Sequence, residues 1–348
     1  MTEPAFASAR PVLKVDGRQR DDLQEALTAM VVNLPLSGSA HAELHLTNWG
    51  RPQGATEPDY MFNDIGLGAG LEILMGSDSP ASLFQGEVTG IEERYGEGAP
   101  GLALLLQDKL HRLARARHSR SYADQSPDDV VQAVAGDAGL QPDAGVSGLI
   151  ATWNQVNESD LAFLLRLLDR FDIALRLDGG RLRARPEEPD PNPLPLDAQD
   201  SALRVRLVVD LNHQPARIKV QGYNAAEATD VDHTAGSLSP PPPGTGGADT
   251  LGNLGWSGDE IVPQPFPRSS AEAQAYAEAH FRREAKRFVH GDIVCQGEAS
   301  LKSGREIELS GVSPRLAGTY RVVHCVHRFD GVSGYETHLT VHKAGWQP

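Results

Sequence analysis

Cysteine is nearly missing from this chain: Cys295 and Cys325 are the only two in 348 residues. Two thiols cannot build a disulfide framework, and such usage suits a reduced compartment. Long apolar runs are missing as well. The longest, Leu161 to Leu168, is broken by Arg166 and is too short to cross a bilayer. The opening residues, MTEPAFASARPVLKV, lack a basic start followed by an apolar stretch, so no secretion signal is expected. Basic residues are outnumbered, 32 against 47 acidic, for a formal charge of −15. That balance argues against a general binder of nucleic acid or of anionic membrane. What remains is a soluble globular chain, 40% hydrophobic, long enough for two or three cores.

Signatures of chemistry are equally scarce. His41, Glu43 and His45 share one face of a strand, but no third strong ligand set accompanies them, and a solvated strand face is the plainer reading. His324, Cys325, His327, His338 and His342 crowd the C-terminal strands, where His324 and His338 could approach each other; ordinary sheet residues explain them without zinc. Gly331-Val-Ser-Gly334 places Ser333 in a hairpin turn, not in a nucleophile elbow. The pairs Glu92-Glu93 and Glu187-Glu188 are adjacent, so in a strand they point to opposite faces. The basic run Leu110–Arg120 reads as a solvated face or a set of interdomain ion pairs before it reads as a nucleic-acid site. No catalytic, cofactor-binding or metal-ligating residue is assigned, and no enzyme activity is expected.

What the sequence does have is strand alternation. Between Gly291 and Lys343, Ile307–Leu309, Tyr320–His327 and Tyr335–His342 alternate in polarity. Glycine turns separate them at Ser303-Gly304, Ser310-Gly311, Ala317-Gly318 and Asp330-Gly331. Sustained alternation with short turns predicts antiparallel strands curling into a small barrel or sandwich. An echo lies upstream. Sliding the stretch back by 234 positions, without gaps, sets Gly304–Ile307 on Gly70–Ile73, Val322 on Val88, Arg328 on Arg94, Phe329 on Tyr95 and Leu339 on Leu105. Chance similarity between two β-meanders is the alternative to a true repeat.

The predicted fold class is α+β, mainly β: two similar antiparallel β-barrel domains, a small α/β domain between them, and a loop-helix insertion in the second barrel. Residues 1–110 form the first barrel, 111–195 the α/β domain, 196–225 and 290–348 the second barrel, and 226–289 the insertion. Asp21–Met30 fits either a helix or an irregular strand. Ser126-Pro127-Asp128-Asp129 opens a helix. A second helix, capped by Asn157 or Ser159, buries Leu161, Leu164, Leu165 and Leu168. Ile173–Arg185 is a hairpin turning at Gly179-Gly180. Pro186–Asp200 is a linker or extended edge, and Ala235–Pro267 a long exposed loop. Ser269–Glu272 caps a helix reaching about Phe288, with Tyr276, Phe281 and Phe288 available for burial.

Five segments in order carry a family resemblance. Trp153–Ile173, in which a Gln precedes Glu-Ser-Asp-Leu-x-Phe-Leu, resembles a segment of VgrG proteins and phage late control protein D. Val156 and Asn157 depart from that pattern, and Asp172 stands where a Gly is common. Ser126–Val131, Asp210–Gln214, Ala279–Phe288 and the closing Gly318–Phe329 follow in family order, so the similarity runs from about residue 10 to 345. The resemblance implies a structural baseplate hub of a contractile phage tail or injection system, assembled in the bacterial cytoplasm into the particle. It implies a homotrimer whose six barrels adapt a six-fold inner tube protein above to a three-fold spike protein below, beside other baseplate proteins. Family members with further segments carry an oligosaccharide-binding fold and needle, whereas this chain ends at Pro348 and is expected to take a separate spike. Alternative roles are an effector or tape-measure docking module using the 235–267 loop, or a tail-associated metal-dependent hydrolase. Membrane and specific nucleic-acid partners are not expected.

Overall fold

The computed structural model describes residues 10–52, 54–76, 80–96 and 98–347. Met1–Ala9, most of the opening stretch read above for a secretion signal, lies outside them. In the first unit, polar alternation gives a sheet with one dry face. Its strands are β1 (Val12–Val15), β2 (Arg18–Gln19), β3 (Leu27–Pro35), β4 (His41–Thr47), β5 (Gly70–Met75), β6 (Ala81–Arg94) and β7 (Gly101–Gln107). Helix α1 (Asp21–Ala26) runs straight into β3, so Asp21–Met30 is both helix and strand. The order is β3-β4-β7-β6-β5-β1, antiparallel throughout, and Leu13, Met30, Leu44, Ile73 and Leu104 bury one face.

The middle unit holds β8 (Arg117–Gln125), α2 (Pro127–Asp137), β9 (Gln141–Ala144), β10 (Ala151–Ser159), α3 (Asp160–Asp169), β11 (Arg176–Asp178) and β12 (Arg181–Ala184). Ser126 caps α2 in a full capping box with Asp129, and Ser159, not Asn157, caps α3. Asn157 instead takes a left-handed φ of 50°. The buried face of α3 is also turned from the expected one. Phe163, Leu164, Leu167 and Leu168 are buried, while Leu161 and Leu165 only flank the core. The large ring of Phe163 stacks on Tyr122 of β8, and this contact sets the helix rotation.

The last part comprises β13 (Leu194–Asp197), β14 (Ala202–Val209), β15 (Arg217–Asn224), β16 (Thr229–Ala235), β17 (Thr245–Gly246), α4 (Gly247–Leu254), β18 (Asp259–Val262), α5 (Ser270–Ala285), β19 (Val289–Gln296), β20 (Glu306–Ser310), β21 (Gly318–Asp330), β22 (Gly334–Lys343) and β23 (Gly345–Trp346). Two expectations are corrected here. The sequence places 217–224 in the second barrel, but β15 pairs with β16 and β18. Its Ile218 and Val220 join Tyr276 and Phe281 of α5 in the core of the middle unit, so the insertion and that unit share one apolar interior. The proline-rich stretch 186–200, read as a linker or extended edge, contains β13, an edge strand that pairs parallel with β20. The 235–267 stretch is not a bare loop: α4 and β18 lie in it, and β17 pairs with β23. Helix α5 ends at Ala285, and Phe288 packs in the second unit's core with Tyr320 and Val341.

The second unit has the strand order β14-β19-β22-β21-β20-β13, the same order as β3-β4-β7-β6-β5-β1, except that its last strand β13 runs parallel to β20 where β1 runs antiparallel to β5. The repeat is therefore real in topology. Even the bulge recurs, between Val88 and Gly90 in β6 and between Val322 and His324 in β21. The gapless slide is correct only along these long strands. Register through them matches Ile307 with Leu71, not Ile73, and Leu339 with Leu104, not Leu105. Leu104 is fully buried whereas Leu105 is 39% exposed, as side-chain alternation requires after a one-residue slip. The two units join edge to edge through β3 and β21 into a single thirteen-stranded sheet. Among the described residues no ladder joins β1 to β3 or β13 to β14, so hydrogen bonds do not close either unit on itself.

Candidate assembly surface

Because both units sit in one sheet, the face opposite their cores is continuous. Register carries it in one row from Val294 through His338, Val326, Asn33 and His41 to Gln107. Arg206, Asp292, Thr340 and His324 form the adjoining row. A cleft of about 470 Å³ over the second unit is lined by Arg204, Arg206, Asp292, His324 and His338 among others. The wall is polar and internally paired. His324 Nε2 lies 2.6 Å from Asn33 Oδ1 across the join, and His338 Nε2 lies 3.0 Å from Glu336. Partial burial, with His41 nearby, holds His324 below its usual pKa.

Strand alternation splits the histidine and cysteine cluster of the C-terminal strands. His324 and His338 lie on the wall, one row apart, while Cys295, Cys325 and His327 point into the core. Cys325 Sγ lies 3.3 Å from His327 Nε2, which makes a nucleophile pair worth weighing. The surroundings argue against it. His327 Nε2 is 3.0 Å from the Leu301 carbonyl and Nδ1 is 2.9 Å from the Tyr335 hydroxyl, an arrangement that suits a neutral ring donating through Nε2. Burial pushes the Cys325 thiol far up and holds His327 at about 4. His41, Glu43 and His45 lie along β4, with His45 Nε2 2.7 Å from Glu43. Among the described residues no group of three His, Cys, Asp or Glu is placed to hold a metal. Ser333 sits in the β21–β22 turn, whose amides at Val332 and Ser333 donate to Asp330. Glu92 pairs with Arg94 on one face of β6, and Glu93 with the Tyr95 hydroxyl on the other. Glu187 meets Arg176 and Arg183, while Glu188 meets Arg185. The basic run serves ion pairs: Arg112 reaches Glu87 of the first unit, and Arg120 faces Asp137 and Asp160.

Two of the sequence motifs meet in space. Arg282 donates to Asp172 at 2.9 Å and to the Phe171 carbonyl at 2.8 Å, and Lys286 donates to Asp172 at 2.8 Å. Asp172 holds a left-handed φ of 56°, a conformation that glycine adopts without penalty. The carboxylate thus compensates its backbone cost by binding cations from α5. Asp172→Ala is expected to lose about 1–3 kcal/mol of stability in urea unfolding. Asp172→Gly should lose about 1 kcal/mol less, because it relieves the strained φ. Equal losses would refute the backbone part of that account.

Sequence reading missed the surfaces that are open. Strand β14 carries apolar residues on both faces, yet among the described residues it pairs only with β19. Gly291 makes that pairing possible, since a Cβ there would overlap the Arg206 carbonyl. Among the described residues the end of β6 pairs only with β7, and Ile91 and Tyr95 are exposed at 38% and 60%. Apolar Leu254, Trp256, Ile261 and Phe266 are also exposed in the 235–267 stretch. The signal for β14 was present in Leu203-Arg-Val-Arg-Leu-Val-Val209, where hydrophobic residues outnumber what one buried face needs.

This architecture has known counterparts. The 43 kDa tail protein of prophage MuSo2 from Shewanella oneidensis superposes with a TM-score of 0.73 at 12% identity, over 97% of this chain and 99% of that one. An Escherichia coli component of the type VI secretion system, described as structurally similar to bacteriophage T4 tail proteins gp27 and gp5, gives 0.62 at 12% identity, over 97% and 79%. A chain of the Francisella PdpA–VgrG complex gives 0.56 at 8% identity, over 98% and 59%. The fold is that of phage tail proteins and their type VI secretion relatives, and at this level the resemblance to VgrG and late control protein D is borne out. The family model described as the Alg8 N-terminal domain matches residues 63–330, and the chain belongs to that family. No curated protein sequence matches it.

Proposed function

We propose that this chain is the structural hub of a contractile tail or injection-system baseplate, a homotrimer joining a six-fold tube to a three-fold spike. The observation that carries the reading is the repeat itself. One chain supplies two units of identical strand order, side by side in one sheet, so three chains supply six. The polar, internally paired wall suits the lining of a shared channel. Partners are the tube protein, a spike protein and neighbouring baseplate proteins, met during assembly in the bacterial cytoplasm.

Native mass measurement tests this, on the protein alone and co-expressed with the tube and spike proteins encoded beside it. The expected species is three times the 37.4 kDa subunit and carries spike chains. A monomer that binds neither neighbour would overturn the hub role and leave the fold intact.

A further inference from the structure

The ladder between β3 and β21 joins the two units, and each of its strands has a counterpart in the other unit. Strand β14 stands where β3 stands, and β6 stands where β21 stands. Among the described residues both counterparts are open on the matching edge. Strand β21 pairs with β20 through Arg321 and then, on the same edge beyond its bulge, takes β3 over His324–Asp330. Strand β6 pairs with β5 through Glu87 and beyond its own bulge has no partner on that edge among the described residues. The subunit thus contains one completed join and both halves of a second.

We propose that β14 of one subunit pairs antiparallel with residues 90–96 of a second copy of this chain, in the register of the β3–β21 join. The proposal rests on the hub reading and specifies how its subunits meet. Register through β4 and β19 matches Met30 with Val205 and Asn33 with Val208. Register through β7 and β22 matches Val326 with Glu92 and Phe329 with Tyr95. The internal pairs Asn33–Val326 and Met30–Phe329 therefore become Val208–Glu92 and Val205–Tyr95 between subunits. Cys325–Leu34 likewise becomes Ile91–Val209.

On the core face the side chains agree with this register. Ile91 occupies the place of Cys325, which is fully buried in the completed join, so pairing covers an apolar residue now exposed. Tyr95 meets Val205 on the same face. On the wall, Val208 lies directly opposite Glu92 and Arg206 directly opposite Arg94, which sets two like charges face to face; Glu92, bound to Arg94 and diagonal to Arg206, lies within reach of both cations. Strand β14 brings two arginines and no acid to a segment holding Glu92, Glu93 and Arg94, a net charge of one acid. Head-to-tail pairing of this kind is heterologous, and it closes into a ring when the rotation allows.

The Leu36 amide donates to the Val323 carbonyl at 3.0 Å, so by alternation Asn33–Val326 is a non-hydrogen-bonded pair. Its equivalent Val208–Glu92 then has the close Cα spacing that accepts a disulfide. The test is the full-length double variant Val208→Cys with Glu92→Cys, oxidised mildly and read by native mass and non-reducing electrophoresis. Val208→Cys with Arg94→Cys, slipped by two residues, is the control. The native Cys295 and Cys325 are buried, so the parent protein should give no covalent species. The expected result is covalent dimers and trimers from the registered pair, with about ten-fold less from the slipped one. Assembled trimers in which the registered pair does not link, or links no better than the slipped pair, would overturn the register while leaving the hub reading standing. A monomeric parent protein would remove the hub reading, and this inference with it.

Discussion

Phe163→Ala is expected to lower the unfolding free energy by about 3–5 kcal/mol, the range for emptying a well-packed aromatic site. Phe163 is 1% exposed and lies nearly parallel to Tyr122, with ring centroids 5.5 Å apart and planes 9° apart. It is the contact through which α3 locks onto β8. The loss therefore includes the transfer of the ring, the void it leaves and the stacking of the pair. Urea unfolding followed by tryptophan fluorescence measures it, since Trp153 lies in the same core. Phe163→Leu retains most of the volume and should lose clearly less. Equal losses for the two variants would mean that packing volume does not set the cost.

Stability is also expected to fall by about 2–3 kcal/mol between pH 6.5 and 4.5 through His327 alone. Burial holds this ring at about 4 in the folded chain, against 6.5 when unfolded. Above pH 6.5 both states are neutral and the term vanishes. As pH falls through 6.5 the unfolded chain takes up a proton that the folded chain refuses, so folding becomes less favourable until the folded ring titrates near 4. His342, held at about 4 by burial with Arg287 and His290 nearby, acts in the same direction; its partial exposure makes its share smaller. Measured across that window, His327→Gln should reduce the pH slope by about one proton, whatever its effect on absolute stability. An unchanged slope would show that His327 is not the group responsible.

Strand existence was legible wherever one face is buried and the other wet. Glu306–Ser310 and Gly334–Lys343 follow their alternation, and the caps Ser126 and Ser159 serve their helices. Strand partners were not legible. The alternation of Arg217–Asn224 is that of a half-buried strand, and it says nothing about whether β19 or α5 covers the dry face. Strand β13 was left open between linker and extended edge, because Pro195 cannot donate to a ladder. As an edge strand beside β20 alone, it tolerates that loss. The repeat was detectable but mis-registered, since a slip of one or two residues is invisible when identity is low. The open edges lay furthest from the sequence, because an unpaired edge is a property of the whole sheet.

The join of β3 to β21 also sets the order in which this molecule can be made. Its two strands are nearly three hundred residues apart in the chain, and the pairing needs residues as far along as Asp330. Synthesis presents β3 first, so through most of translation its edge has no native partner. Non-local pairing of this kind folds slowly, and an unpaired strand edge invites wrong contacts with other nascent chains. A truncation before β21 would leave that edge permanently bare. Pairing with β21, rather than formation of the first core, is the step that covers the β3 edge.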